Sequence, residues 1–156
     1  MSGKPNAWFL KQWYGHVPSE TNLESMQRFG KALMCIVAAD GLSPGEREFF
    51  VAMGQTGGVP QEIIDGIVAT DVKKESLDNL LKGIKDTPLA RVMLFDAITV
   101  AHADGTYSAA EKAEAARAAK LLGIDDATLA TIEGLVQMDE HLRRTRASLL
   151  FGTASR

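Results

Sequence analysis

Residues 39–46 read ADGLSPGE, and residues 103–111 read ADGTYSAAE, so one short pattern occurs twice in the chain. Each copy follows an apolar segment with helical spacing and carries a serine three residues before a glutamate. Serine and glutamate at this spacing form a capping box, which starts a helix. The pattern therefore predicts two helix–loop–helix hairpins, each with an Asp-Gly loop at its tip.

The similarity between the two copies extends beyond the loops. Gly58 aligns with Gly123, and Ile67 aligns with Ile132. Capping boxes can recur by chance in helical proteins, but identities that stay in register favour a duplication. We therefore expect two pseudo-twofold-related repeats, the first at about residues 26–67 and the second at about residues 90–132.

Helical spacing of apolar residues runs along most of the chain, and strand-like alternation is absent. A capping box at Thr21 and Glu24 predicts the start of the first long helix, and an aspartate at 125 or 126 predicts the start of the last. The sequence predicts one all-α domain over residues 1–156 with seven to eight helices. Residues 1–20 form an aromatic extension, expected to pack as a flap over the core, with a partner or membrane-surface anchor as the alternative.

Composition limits the possible classes of protein. The chain has 156 residues and a single cysteine, Cys35, so an internal disulfide is excluded. Because the net charge is −3, a nucleic-acid-binding surface is not expected. No apolar run approaches the roughly 20 residues of a membrane-spanning helix. We expect a cytoplasmic protein without a transmembrane segment. Three arginines, Arg143, Arg144 and Arg146, precede the apolar residues 149–151. As an alternative, the protein could therefore bind peripherally to the inner face of the membrane.

The aspartates of the two loops carry the functional prediction. Asp40 and Asp104 each follow a helix, where a carboxylate faces the negative end of the helix dipole at a cost of about 0.3–1 kcal/mol. Their recurrence indicates that each has a partner. That partner is either the N–H groups of the loop itself or a divalent cation shared with Glu46 and Glu111, because carboxylate oxygens are preferred ligands of Ca²⁺ and Mg²⁺.

Known site signatures narrow the alternatives. The second loop resembles the latter half of an EF-hand, but Val100 and His102 stand where that motif needs its leading ligands. The sequence contains no phosphate-binding loop, nucleophile elbow or zinc-protease motif. A metal-dependent hydrolase is therefore the last of three hypotheses, after a metal-responsive module and a metal-free interaction scaffold.

The paired motif resembles the TerB family of tellurite-resistance proteins over roughly residues 22–135 and, more distantly, the helical domain of membrane-anchored DnaJ-like co-chaperones. The resemblance implies an all-helical fold and a role in resistance to tellurite and related stresses, together with membrane-linked partner proteins. Because the sequence carries no catalytic motif, we expect this role to be non-enzymatic. The resemblance also implies that four acidic residues are divalent-metal ligands, and by motif these are Asp40, Glu46, Asp104 and Glu111. The aromatic N-terminus and the arginine-rich C-terminus lie outside the shared motif.

Overall fold

The computed structural model describes residues 6–16 and 22–152, and in these residues it contains eight α-helices and no β-strand. The helices are α1 (Ala7–Tyr14), α2 (Leu23–Val37), α3 (Pro44–Thr56), α4 (Gln61–Val68), α5 (Leu77–Leu81), α6 (Leu89–Ala101), α7 (Ala109–Leu122) and α8 (Asp126–Phe151), with a 3₁₀ turn at Val72–Lys74 between α4 and α5. The prediction of an all-α fold with seven to eight helices is confirmed. The pseudo-twofold relation between the two halves stays a prediction.

The first long helix begins one residue later than its predicted capping box. The side chain of Asn22 accepts a hydrogen bond from the backbone N–H of Ser25 at 2.8 Å and caps α2. Asparagine is at least as good an N-cap as threonine, so the neighbouring residue takes the role. Thr21 and most of the link after α1 lie outside the described residues.

Helices α2 and α6 form the centre of the domain. Helix α2 packs against α4, α5, α6 and α7, while α6 packs against α3, α7 and α8. Most of α6 is buried, and Met93, Ala97 and Val100 are fully shielded from solvent. A helix that is apolar on all sides must be surrounded by other elements, which explains why α6 lies in the core.

One glycine sets the distance between α2 and α4. A Cβ atom at Gly30 would collide with the side chain of Ile67, which is 2% exposed. Because Gly30 has no side chain, the two helices approach each other closely at this point.

The packing of α2 against α6 brings the two hairpins together. Each central helix is followed by an Asp-Gly turn and then by a helix, α3 or α7, that begins at a capping box. Helices α2 and α6 pack against each other, and their turns meet at one end of the domain, where residues of both hairpins line one cavity.

The last helix, α8, is 26 residues long, and its core contacts lie in its first half. Its buried residues are Leu129, Ile132 and Val136. No helix in the described part of the chain is both long and apolar enough to cross a membrane.

Candidate functional site

The two Asp-Gly turns repeat the same backbone hydrogen bonds. The N–H of Gly41 donates to the carbonyl of Ala38 at 3.2 Å, and the N–H of Gly105 donates to the carbonyl of His102 at 2.9 Å. Both glycines have a positive φ, +113° and +88°. The helices therefore end before the aspartates, at Val37 and Ala101, and each aspartate lies in a tight turn just ahead of its glycine.

Both predicted capping boxes are present, and each holds a glutamate in a buried position. The N–H of Ser43 donates to Oε2 of Glu46 at 2.8 Å, and the N–H of Ser108 donates to Oε2 of Glu111 at 2.7 Å. The serine hydroxyls complete the boxes by accepting the N–H groups of the same two glutamates. Glu46 is 3% exposed and Glu111 is 1% exposed, so both carboxyl groups point into the protein.

The four acidic residues border one cavity between the hairpins. A Cβ atom at Gly45, in the first turn of α3, would lie 3.4 Å from the Cβ of Asp104, so the first hairpin touches the second loop. Between them is an open cavity of about 390 Å³. It is lined by Asp40, Gly41, Leu42, Ser43, Glu46, Asp104, Thr106, Ser108 and Glu111.

One buried carboxylate oxygen in this cavity lacks a protein partner. The Oε1 atom of Glu111 is buried and makes no hydrogen bond within the described residues. A buried polar atom without a partner is unfavourable and rare in native proteins, so it often marks a place where water or an ion binds. This atom is the second oxygen of the carboxyl group that the capping box orients.

The cavity is strongly acidic. The pKa of Glu111 is raised to about 7, chiefly by burial and also by the nearby negative charges of Glu46 and Asp40, while the hydrogen bonds with Ser108 lower it. None of the lining residues is Lys, Arg or His, so no cationic side chain of the lining offsets these charges. Acidic groups gathered without a counter-ion favour the approach of a cation.

The two aspartates differ in their local partners. Oδ1 of Asp104 accepts the N–H of Thr106 at 2.8 Å, as the loop-stabilising interpretation predicts. In the first loop no such bond joins the Asp40 carboxylate to another described residue. The second loop contains one more residue than the first, which allows Thr106 to fold back over the aspartate.

The carboxylates surround the cavity without converging on one point. Within residues 6–16 and 22–152, no three His, Cys, Asp or Glu side chains stand close enough together to hold a metal ion directly. Their chemistry nevertheless fits Ca²⁺ or Mg²⁺, which take carboxylate oxygens and retain water molecules in the coordination shell.

A buried aspartate far from this cavity is the main feature that the sequence interpretation missed. Asp96 of α6 is 2% exposed and accepts hydrogen bonds from Trp13 Nε1 at 3.2 Å and from the Tyr14 hydroxyl at 2.7 Å. These bonds fasten α1 to the core, in agreement with the expected flap. The signal was present, because position 96 falls on the same helical face as Met93 and Val100.

His102 and Tyr107 connect the second loop to α8. The imidazole Nδ1 of His102 lies 3.4 Å from a carboxylate oxygen of Glu140, and the hydroxyl of Tyr107 donates to Glu133 at 3.1 Å. The two rings also pack together, with centroids 5.0 Å apart. His102 is therefore neither an exposed surface residue nor part of the cavity lining.

Comparison with known proteins gives one informative match. No protein-family model matches the chain, and no curated protein matches its sequence. Among solved structures, the chain is similar to a tellurite resistance protein from Nostoc punctiforme, with 27% sequence identity and a TM-score of 0.77. The match covers 96% of this chain and 93% of that protein. The chain is thus similar in fold to a tellurite resistance protein, which agrees with the resemblance predicted from its paired Asp-Gly motif.

Proposed function

We propose that this protein is a non-enzymatic stress-response module that binds one divalent cation between its two Asp-Gly hairpins. The ligands are Asp40, Glu46, Asp104 and Glu111, and the ion is Ca²⁺ or Mg²⁺. The observation that supports the proposal most directly is the buried, unpartnered Oε1 atom of Glu111 in a cavity bordered by all four carboxylates. The similarity to a tellurite resistance protein supports the link with stress.

The size of the cavity favours a partly hydrated ion. A water molecule needs about 10–15 Å³ of the space that a water-sized sphere can occupy, so a cavity of about 390 Å³ has room for an ion and several water molecules. Mg²⁺ gives up its water reluctantly, and Ca²⁺ accepts a mixed shell of carboxylates and water. Water in the shell allows carboxylates that do not converge to act on one ion.

Ion binding in the cavity has a route to the rest of the protein. The ion would draw the carboxylates of two separate hairpins toward one charge and so restrict their relative motion. The second hairpin is tied to α8 through His102 and Tyr107. We therefore propose that ion binding makes a surface that partner proteins contact more rigid. These partner proteins are membrane-linked components of the stress response, and this protein binds them in the cytoplasm.

Calorimetric titration tests this proposal. We expect at least one of Ca²⁺, Mg²⁺, Mn²⁺ and Zn²⁺ to bind with a stoichiometry of one ion per chain. The double variant Asp40→Asn with Asp104→Asn removes two charges from the lining and should weaken binding by at least about tenfold.

The matched control is Glu48→Gln, on the same helix as Glu46 but exposed to solvent. This variant should bind the ion as the wild type does. Absence of heat with all four ions, or unchanged binding by the double variant, would overturn the proposal.

A metal-free scaffold for protein–protein contact is the second candidate, and one observation favours it. The bond from Thr106 to Asp104 and the two capping boxes give several of the acidic groups a local structural role. Under this alternative a chelator changes neither thermal stability nor partner binding, and Asp104→Asn lowers stability without loss of an ion. The same calorimetric and unfolding experiments therefore separate the two candidates.

A further inference from the structure

Helix α8 carries an apolar stripe that no described part of the chain covers. Leu135, Met138, Leu142 and Leu149 are between 48% and 82% exposed. Their spacing of three, four and seven residues places all four on one narrow face of the helix. This spacing is that of the a and d positions of a coiled-coil heptad, with Thr145 at the remaining d position. We call these four residues the α8 stripe.

The opposite face of α8 is already used within the chain. Val136 is buried and the guanidinium of Arg143 lies 5.9 Å from the ring centroid of Trp13, while Arg144 pairs with Glu140 of α8 itself. The α8 stripe therefore points away from the domain. Rows of exposed leucine and methionine at heptad spacing mark contact surfaces more often than scattered apolar residues do.

We propose that the α8 stripe pairs two copies of this chain as an antiparallel two-helix coiled coil. Two charged residues beside the stripe, Asp139 and Arg146, argue for this occupant. Both are heptad e positions, and within the described residues neither forms an ion pair with another side chain. The other arginines nearby, Arg143 and Arg144, are engaged in the contacts within the chain described above.

The charges distinguish the direction of pairing. In an antiparallel coiled coil e positions face e positions, so Asp139 of each copy lies near Arg146 of the other and two ion pairs form. In a parallel coiled coil e positions face g positions, where the chain has Gly134 and His141, and neither offers an opposite charge to its neighbour. The sequence of α8 therefore fits the antiparallel arrangement.

The same register gives a consistent seam. With Asp139 near Arg146 of the second copy, Met138 faces Leu149 and Leu142 faces Thr145. The α8 stripe is about 21 Å long at 1.5 Å per residue, which is short for a permanent interface. We therefore expect a dimer that dissociates in the micromolar concentration range.

Analytical ultracentrifugation of the full chain tests the proposal. We expect the wild type to shift with concentration from the 16.8 kDa chain toward twice that mass. Leu142→Glu should leave only the monomer. Trp8→Glu, which changes an exposed aromatic residue on another helix, serves as its control and should dimerise normally.

Charge reversal gives the sharper test. Asp139→Arg or Arg146→Asp alone gives positions 139 and 146 the same charge, so both of the ion pairs between the two copies become repulsive. Either variant should weaken the dimer by at least about tenfold. The double variant should restore it, and an equimolar mixture of the two single variants should form a heterodimer. Lys120→Asp, on the exposed surface of α7, is the control reversal and should leave the dimer intact.

Circular dichroism spectra of each variant should match that of the wild type, which would show that the variant keeps its helices. Three outcomes would overturn the proposal. One is a wild type that stays monomeric to millimolar concentration. Another is a dimer that survives Leu142→Glu. The last is that each single charge reversal prevents dimer formation, but neither the double variant nor the mixture of the two single variants forms a dimer. A monomer that instead binds vesicles of phosphatidylcholine and phosphatidylglycerol through Leu142 would assign the α8 stripe to a membrane surface.

Discussion

At the scale of single residues, the two buried carboxyl groups with a raised pKa have different surroundings. Both oxygens of Asp96 accept hydrogen bonds, whereas Glu111 has one oxygen without a partner. The pKa of each group is raised to about 7, chiefly because burial disfavours the charged form. Asp96 thus has the environment of a structural residue, whereas the unpartnered oxygen of Glu111 is the observation on which the proposed ion site rests.

Asp96 makes the stability of the protein depend on pH. Its folded pKa of about 7 lies above its ordinary value of 3.8, so between these values the folded state holds a proton that the unfolded chain has lost. The free energy of unfolding therefore falls as pH rises through this window, by at most about 1.4 kcal/mol per pH unit, and the loss is complete above pH 7.

Replacing Asp96 isolates this contribution. The free energy of unfolding of Asp96→Asn should fall below that of the wild type by the largest amount at pH 5 and by the smallest amount at pH 8. The amide is neutral at every pH, whereas the wild-type carboxyl group becomes charged as pH rises and loses stability. Urea unfolding at pH 5, 6, 7 and 8 measures the difference between the two proteins. The exposed-site variant Asp78→Asn is the control, and a wild-type-to-variant difference that stays constant with pH would contradict the assignment.

The sequence indicated the four acidic residues that line the cavity, but it did not predict the cavity itself. Capping-box spacing fixed Glu46 and Glu111 because that pattern acts over a few residues along the chain. The depth of the cavity and the unpartnered oxygen depend on how helices distant in sequence pack, which spacing alone does not encode. The position of Asp96 on the apolar face of α6 could have indicated its burial, but its hydrogen-bond partners could not be predicted, since they are more than eighty residues away.

At the scale of elements, each hairpin is a helix end, a tight turn and a capped helix start. The sequence placed the ends of α2 and α6 at the Asp-Gly pairs, whereas both helices end three residues before the aspartate, at Val37 and Ala101. The turns explain the difference, because the glycine N–H groups bond to the carbonyls of Ala38 and His102, and each aspartate lies within the turn that this bond closes. The first residues of the helices were predicted better than the last residues, because capping side chains mark the start of a helix directly in the sequence.

Two glycines provide an opposed pair of predictions for these elements. Gly105 has a φ of +88°, so Gly105→Ala should lower the free energy of unfolding by about 1–2 kcal/mol. Gly134 lies inside α8, and a Cβ atom added there would have no other atom within 4 Å, so Gly134→Ala should raise the free energy of unfolding by about 0.5–1 kcal/mol. Chemical denaturation of both variants measures the two changes, and a stabilising effect at Gly105 would contradict the turn geometry.

At the scale of the whole molecule, the site exists because α2 packs against α6. Asp40 and Asp104 are 64 positions apart in the sequence (104 minus 40), yet their loops line one cavity. The repeat pattern predicted two similar loops and left open whether they meet. Only the helix packing answers that question, since the cavity forms between hairpins rather than within either one.

A site shared by two hairpins should couple ion binding to global stability. An ion that binds only the folded state stabilises it by about 2.7 kcal/mol at a hundredfold excess over the dissociation constant. We expect this increase in the unfolding free energy for the wild type and little of it for the Asp40→Asn, Asp104→Asn double variant. Denaturation curves with and without the ion measure the effect, and equal stabilisation of both proteins would place the ion elsewhere.

The central claim is that one ion engages both hairpins at once, and a nuclear magnetic resonance titration tests it most directly. The backbone amide signals of Gly41 and Gly105 report separately on the two turns. We predict that both signals shift along the titration with Ca²⁺ or Mg²⁺ and that both curves give the same dissociation constant. Two different constants, a shift in only one glycine, or no shift in either would contradict a shared site.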